Sequence, residues 1–211
     1  MAKWGWVAAL TAAVVIARAD GVAARAIVVR SGNAPIGSLD PQVRYLAGRP
    51  ACPLRLAPFT PTDFSDACAG PQATVVTNHP AWIGGLTTDP LARWVALDES
   101  WGQGRGLYCQ HFNLPALPSC GASLDLAYAG DDSIGDTWPD SCGTPGSAPN
   151  PVGMYLNGQP LIPPGGWPTG GFTFETTVTI ADVRAMLVLG AAPFAACCCW
   201  MSPASVGGER P

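Results

Sequence analysis

The sequence predicts an all-β protein, a β-sandwich of jelly-roll type with few or no helices, and three observations lead there. Apolar residues recur at every second position in several short runs, which sets them on one face of a pleated strand. Turn formers are frequent, with 25 Gly and 22 Pro in 211 residues, so the runs are cut into short pieces. No stretch of helical period is long enough to carry the crossover of a parallel sheet. Many short antiparallel strands, each with one apolar face, bury that face by packing two sheets together.

The elements follow in chain order. "AIVVRSG" (26–32) reads as a short strand. Residues 34–70 are Pro-rich and weakly periodic, and read as loop with at most short strands. "TVVT" (74–77), "RWVALD" (93–98) and "GLYCQHFNL" (106–114) are strand-like and separated by turn residues. "ASLDLAYA" (122–129) alternates strictly, with Leu124, Leu126 and Tyr128 on one face. "VGMYLNG" (152–158) alternates again and ends in Asn-Gly, a strong hairpin signal. "GFTFETTVTI" (171–180) sets Phe172, Phe174, Thr176, Val178 and Ile180 in register, and "ADVRAML" (181–187) has room for one helical turn. Trp94, inside an apolar run, reads as core.

Charge and cysteine usage narrow the function classes. Charged residues make up 12% of the chain, the net charge is −4, and the only lysine is Lys3. Without concentrated positive charge, nucleic acid is excluded as a partner. Residues 1–19 read as an export signal: Lys3, the apolar core "VAALTAAVVI" (7–16), and a small-x-small site, "ARA" (17–19), before Asp20. Ten apolar residues are too few to span a bilayer as a helix. The mature chain is therefore expected to begin near Asp20, to lie outside the cytoplasm or in the cell envelope, and to have no membrane span. The 8 cysteines suit an oxidising compartment. Their spacing fits no zinc pattern, so disulfides are the expected use, with Cys52–Cys68 and Cys109–Cys120 closing short loops.

The order of motifs carries a resemblance. "TVVTNHPAWIG", "ARWVAL", "GLYCQHFNLP", "ASLDLAYAGDDSIG", "VGMYLNGQPL" and "FTFETTVTIADVRAMLVLG" follow one another. This series resembles the galactose-binding-like jelly-roll modules of secreted bacterial proteins, many of which carry a sorting segment of the PEP-CTERM kind. The resemblance divides the chain into a signal (1–19), a Pro-rich extension (20–71), the β-sandwich (72–190) and an atypical Cys-rich tail (191–211). It implies a non-catalytic module that binds carbohydrate and holds a structural calcium. It also implies closing strands after Gly190, where the chain instead reads "AAPFAACCCWMSPASVGGERP". Those strands are expected to be missing, as a change of reading frame near residue 190 would leave them, and the chain to fold poorly.

Candidate site residues cluster after the strand at 122–129. Asp131, Asp132 and Asp136 place three carboxylates on a Gly-rich loop, a donor set suited to Ca²⁺. The same aspartates can instead bond backbone amides and shape the turn. The order "DDSIG" then "MYLNG" is also similar to a second group of secreted β-sandwich domains, in which an Asp-Asp pair holds calcium and sugar hydroxyls together. That similarity adds Asn157 to Asp131 and Asp132 as ligand contacts, and "LNG" is expected close to the aspartate pair. Asn157 also suits a left-handed turn position. Trp138 and Trp167 sit in Pro/Gly-rich loops, where an indole can stack on a sugar or cover the end of the sandwich. Glycoside hydrolysis needs two carboxylates about 5–9.5 Å apart, and Asp131, Asp132 and Glu175 are the candidates. A purely structural surface or matrix protein, with no small-molecule site, is the alternative to a glycan binder.

Overall fold

The computed structural model describes residues 8–16, 25–48, 58–97, 106–114, 116–118, 121–130, 133–134, 153–162 and 171–199. Cys52, Cys120, Asp131, Asp132, Asp136, Trp138 and Trp167 lie outside these residues. The strands are β1 (Ala8–Ile16), β2 (Arg25–Arg30), β3 (Leu39–Ala47), β4 (Gln72–Val75), β5 (Val95–Ala96) and β6 (Gly106–Leu114). They continue as β7 (Ala122–Gly130), β8 (Ser133–Ile134), β9 (Met154–Leu156), β10 (Gln159–Pro160), β11 (Thr176–Ile180) and β12 (Gly190–Cys199). One α-helix, α1 (Pro61–Ala69), and a 3-10 turn at Arg184–Met186 complete the described elements. The fold is all-β, and its strand pairs are antiparallel.

The strands follow the path β10-β9-β12-β6-β3-β4-β5-β1-β7-β11, with β2 added beside β1 and β8 beside β12. The path folds back on itself. Tyr108, Phe112 and Leu114 of β6 share one core with Leu124, Leu126 and Tyr128 of β7, strands that stand far apart along the path. Gln110 of β6 donates from Nε2 to the Arg30 carbonyl of β2 at 2.7 Å, which ties the two layers directly. The bend runs through β4 and β5, two short strands, next to a register shift in the β3–β4 pairing.

A second cluster forms on the other face of β7. Trp82 and Trp94 stack there, ring centroids 4.8 Å apart, over Ala127 and Ala129. Trp94 is fully buried, and its Nε1 donates to the Ile83 carbonyl at 3.0 Å, so its one polar atom is satisfied. The small side chains Ala127 and Ala129 leave room for the two indoles.

Three expectations change. Residues 34–70 hold a nine-residue strand and a nine-residue helix rather than loop alone. β3 is anchored by Asp40, a buried carboxylate that accepts from the amides of Gly32, Asn33, Gln42 and Val43, and it pairs with β6. A closing strand does exist: β12 fills the place between β6 and the β9 and β8 edge, matching β6 from Gly190↔Leu114 to Cys198↔Gly106. Finally, residues 8–16 form a strand, β1, held between β2 and β7. The strand expected at 93–98 shortens to Val95–Ala96, and the helical turn within 181–187 is the 3-10 turn.

Candidate functional site: a groove beside a disulfide

The helix α1 begins with a capping box. Thr60 Oγ1 accepts from the Asp63 amide at 3.3 Å, and the Asp63 carboxylate accepts from the Thr60 amide at 2.8 Å. Pro61 takes the first helical position, where no amide is needed. At the other end, the Gly70 carbonyl accepts from Arg44 at 2.7 Å. A Cβ on Gly70 would lie 2.0 Å from the Tyr45 carbonyl oxygen, so only glycine allows the chain to pass β3 this closely. Phe64 and Ala67 are buried, and Cys68 is disulfide-bonded to Cys109 of β6 with Cα atoms 5.0 Å apart. This replaces both expected pairings. Cys68 is in the last turn of α1, and the helix lies across β3 and β6, so its nearest sulfur belongs to β6.

The β9–β10 hairpin forms the opposite wall. Asn157 has φ 52° and Gly158 φ 74°, the two left-handed residues of a type I′ turn. Asn157 Nδ2 donates to the Met186 carbonyl, which fastens the turn to the 3-10 segment. Tyr155, Phe59 and Phe64 form an aromatic trio, with Phe64 and Tyr155 centroids 4.9 Å apart and Phe59 5.8 Å from each.

Between helix and hairpin lies a groove of about 680 Å³, lined by Phe59, Phe64, Ser65, His111, Asn157 and Gln159, with Cys68 at its floor. Its volume falls within the roughly 300–1,000 Å³ of small-ligand sites. Among the described residues its lining carries no carboxylate. It offers aromatic and aliphatic surface together with hydroxyl, amide and imidazole groups. His111 is exposed and follows Cys109 by two positions, so both face the helix side of β6.

The structure places Asn157 near the start of β7. β7 runs from Ala122, whose carbonyl accepts from Val183, to Gly130. Asn157 sits at the Ala122 end, bonded to Met186 of the same 183–187 segment. β7 ends at Gly130, and Asp131 and Asp132, next in sequence, lie outside the described residues. The following strand β8 pairs with Cys198 and Cys199, whereas Leu156 pairs with Phe194. β7 and β9 are therefore not neighbouring strands.

Glu175, a candidate acid for hydrolysis, is committed elsewhere. Its carboxylate accepts from the Thr87 and Thr88 amides and from Thr88 Oγ1. Slight burial pushes its pKa up, but these hydrogen bonds outweigh that and hold it below its ordinary 4.5. A proton donor needs the opposite shift.

No protein-family model matches the chain, and neither a curated protein nor a solved structure matches it. No helix among the described residues is long and apolar enough to cross a membrane.

The groove itself was not foreseen. Of the candidate residues that the structure describes, Asn157 and Cys68 line it. Two signals pointed there: the T-P-T-D capping pattern at 60–63, and "CQH" at 109–111, which sets a cysteine and a histidine on one face of a strand.

Proposed function

We propose that this chain is an exported binding module that takes a carbohydrate, such as a cell-envelope glycan, in the groove between α1 and the β9–β10 hairpin. The observation that carries this reading is the lining. Phe59 is half-buried and lies beside His111, Ser65 and Gln159, polar groups that take part in hydrogen bonds. A pyranose has an apolar C–H face and a rim of hydroxyls, so it needs an aromatic edge or face next to such groups. The galactose-binding-like resemblance points to the same ligand class. It places the contacts on loops at the strand ends, however, whereas this groove lies on the outer face of β6.

The test is a glycan array followed by titration calorimetry on the best ligand, with Phe59→Ala and Gln159→Ala as variants. Binding that both variants weaken supports the groove. No glycan bound, or binding indifferent to both, refutes it and leaves the purely structural reading. Calcium at Asp131, Asp132 and Asp136 remains part of the proposal on the strength of their sequence pattern. It calls for a Ca²⁺ titration of the chain and of Asp131→Ala, with a loss of binding in the variant.

A further inference from the structure

We propose that the chain, once the Cys68–Cys109 bond is reduced, binds Zn²⁺ through the two sulfurs and the His111 imidazole. The donor atoms of these three residues all lie within 4.8 Å of one another. Neighbouring ligands around a tetrahedral zinc with bonds of about 2.0–2.3 Å stand about 3.3–3.8 Å apart, so once the disulfide opens the sulfurs must part and the imidazole must move in by about 1 Å. Two of the ligands come from β6, which is paired on both sides by β3 and β12, and the third comes from a helix packed against it. The site is thus held by regular elements rather than by loops. The His111 imidazole makes no side-chain hydrogen bond to another described residue, so its ring can turn toward the sulfurs.

The charge also balances. Zn²⁺ with two thiolates and a neutral imidazole is neutral overall, which keeps the cost of placing it beside buried Cys109 low. Three protein ligands leave a fourth position, and the groove is the open side. A water or a ligand atom would complete the shell.

The disulfide and the metal exclude each other, so a reductant is needed, here a dithiol. Its thiolate attacks Cys68, the sulfur that lines the groove, and displaces Cys109 as a thiolate. The second thiol of the reductant then attacks the mixed disulfide and releases Cys68. Two electrons pass from the dithiol, which leaves as a cyclic disulfide, and the protein gains two thiols. Zinc binding releases their two protons.

The inference is independent of the glycan reading, because neither the metal nor its readout involves a sugar. The test uses the full chain, reduced, freed of reductant without air, and titrated with Co²⁺ as the probe. A single Co²⁺ with thiolate-to-cobalt charge-transfer bands, displaced by Zn²⁺ and absent from the oxidised chain, is expected. Cys68→Ser should abolish those bands. His111→Ala should weaken binding by more than the roughly 10- to 100-fold that loss of an outer partner costs. Unchanged bands in Cys68→Ser would assign the metal to other cysteines and overturn the proposal. Unchanged affinity in His111→Ala, no binding by the reduced chain, or loss of its β-sheet circular dichroism would overturn it as well.

Discussion

Glu175 accepts hydrogen bonds from both the backbone amide and the hydroxyl of Thr88, 87 residues away in sequence. The bonds tie the segment before β11 to the loop that carries Trp82 and Trp94, and they are stronger to the charged carboxylate than to the neutral acid. The folded carboxyl binds its proton less readily than the unfolded one, whose pKa is near the ordinary 4.5. Its stabilising contribution is therefore full above that value and is lost as pH falls through it toward the folded pKa. Urea midpoints of the natural chain and of Glu175→Gln should differ at neutral pH and converge in acid. A gap that widens in acid would contradict the assignment.

The disulfide should matter more. It closes a sequence separation of 41 residues, and the chain-entropy relation gives about 4 kcal/mol for a loop of that size. Cys68→Ser should lower the urea midpoint by a corresponding amount, and reduction should do the same to the natural chain. Peptide mapping of unreduced protein should recover Cys68 joined to Cys109. A Cys52–Cys68 or Cys109–Cys120 peptide would count against the pairing.

The hairpin turn separates two roles of one side chain. Asn157→Gly keeps the left-handed backbone and loses only the bond to Met186, which should cost about 1 kcal/mol. Asn157→Ala loses the bond and also strains the backbone, for a total of about 2 kcal/mol. Chemical denaturation of both variants measures the difference. Equal losses would mean that the turn relaxes away from its left-handed form.

Residues 8–16 carry two expectations, the apolar core of an export signal and the strand β1. β1 meets β7 from Ala8↔Gly130 to Ile16↔Ala122 and meets β2 on its other side. A chain that starts at Asp20 leaves one edge of β7 without its partner. Its unfolding transition should be broader and its midpoint lower than those of the full chain, which urea denaturation of the two lengths would show. Equal midpoints would mean that β1 contributes nothing to the stability of the sheet.

Legibility in the sequence followed the type of burial. β6 and β7 could be read almost to the residue, because β7 alternates and β6 is a β-rich run between glycine and proline. Trp94 was readable as core for the same reason. β3 was not, because Asp40 and Pro41 interrupt it directly after Leu39 and its buried carboxylate serves backbone amides, which no hydropathy pattern signals. β12 was missed for the opposite reason. It is paired on both edges, and "GAAPFAACCC" is a continuous apolar run with no polar face. The disulfide and the groove depend on how α1 is laid over β6, a tertiary relation between segments that local pattern does not carry.

β1 and β12 also set the order in which the chain can assemble. β1 is the first of the described strands to be made, yet its long partner β7 ends only at Gly130. β12 is the last of the described strands and enters between β6 and β9, so the layer that holds β6 stays split until Cys199 has been made. Both pairings close large loops before any contact rewards them. Folding should therefore fall in the slow class of all-β chains, roughly milliseconds to seconds. Until β12 has been made, the nascent chain presents the open edge of β6 to its neighbours, and a chaperone that shields strand edges would have its longest task there.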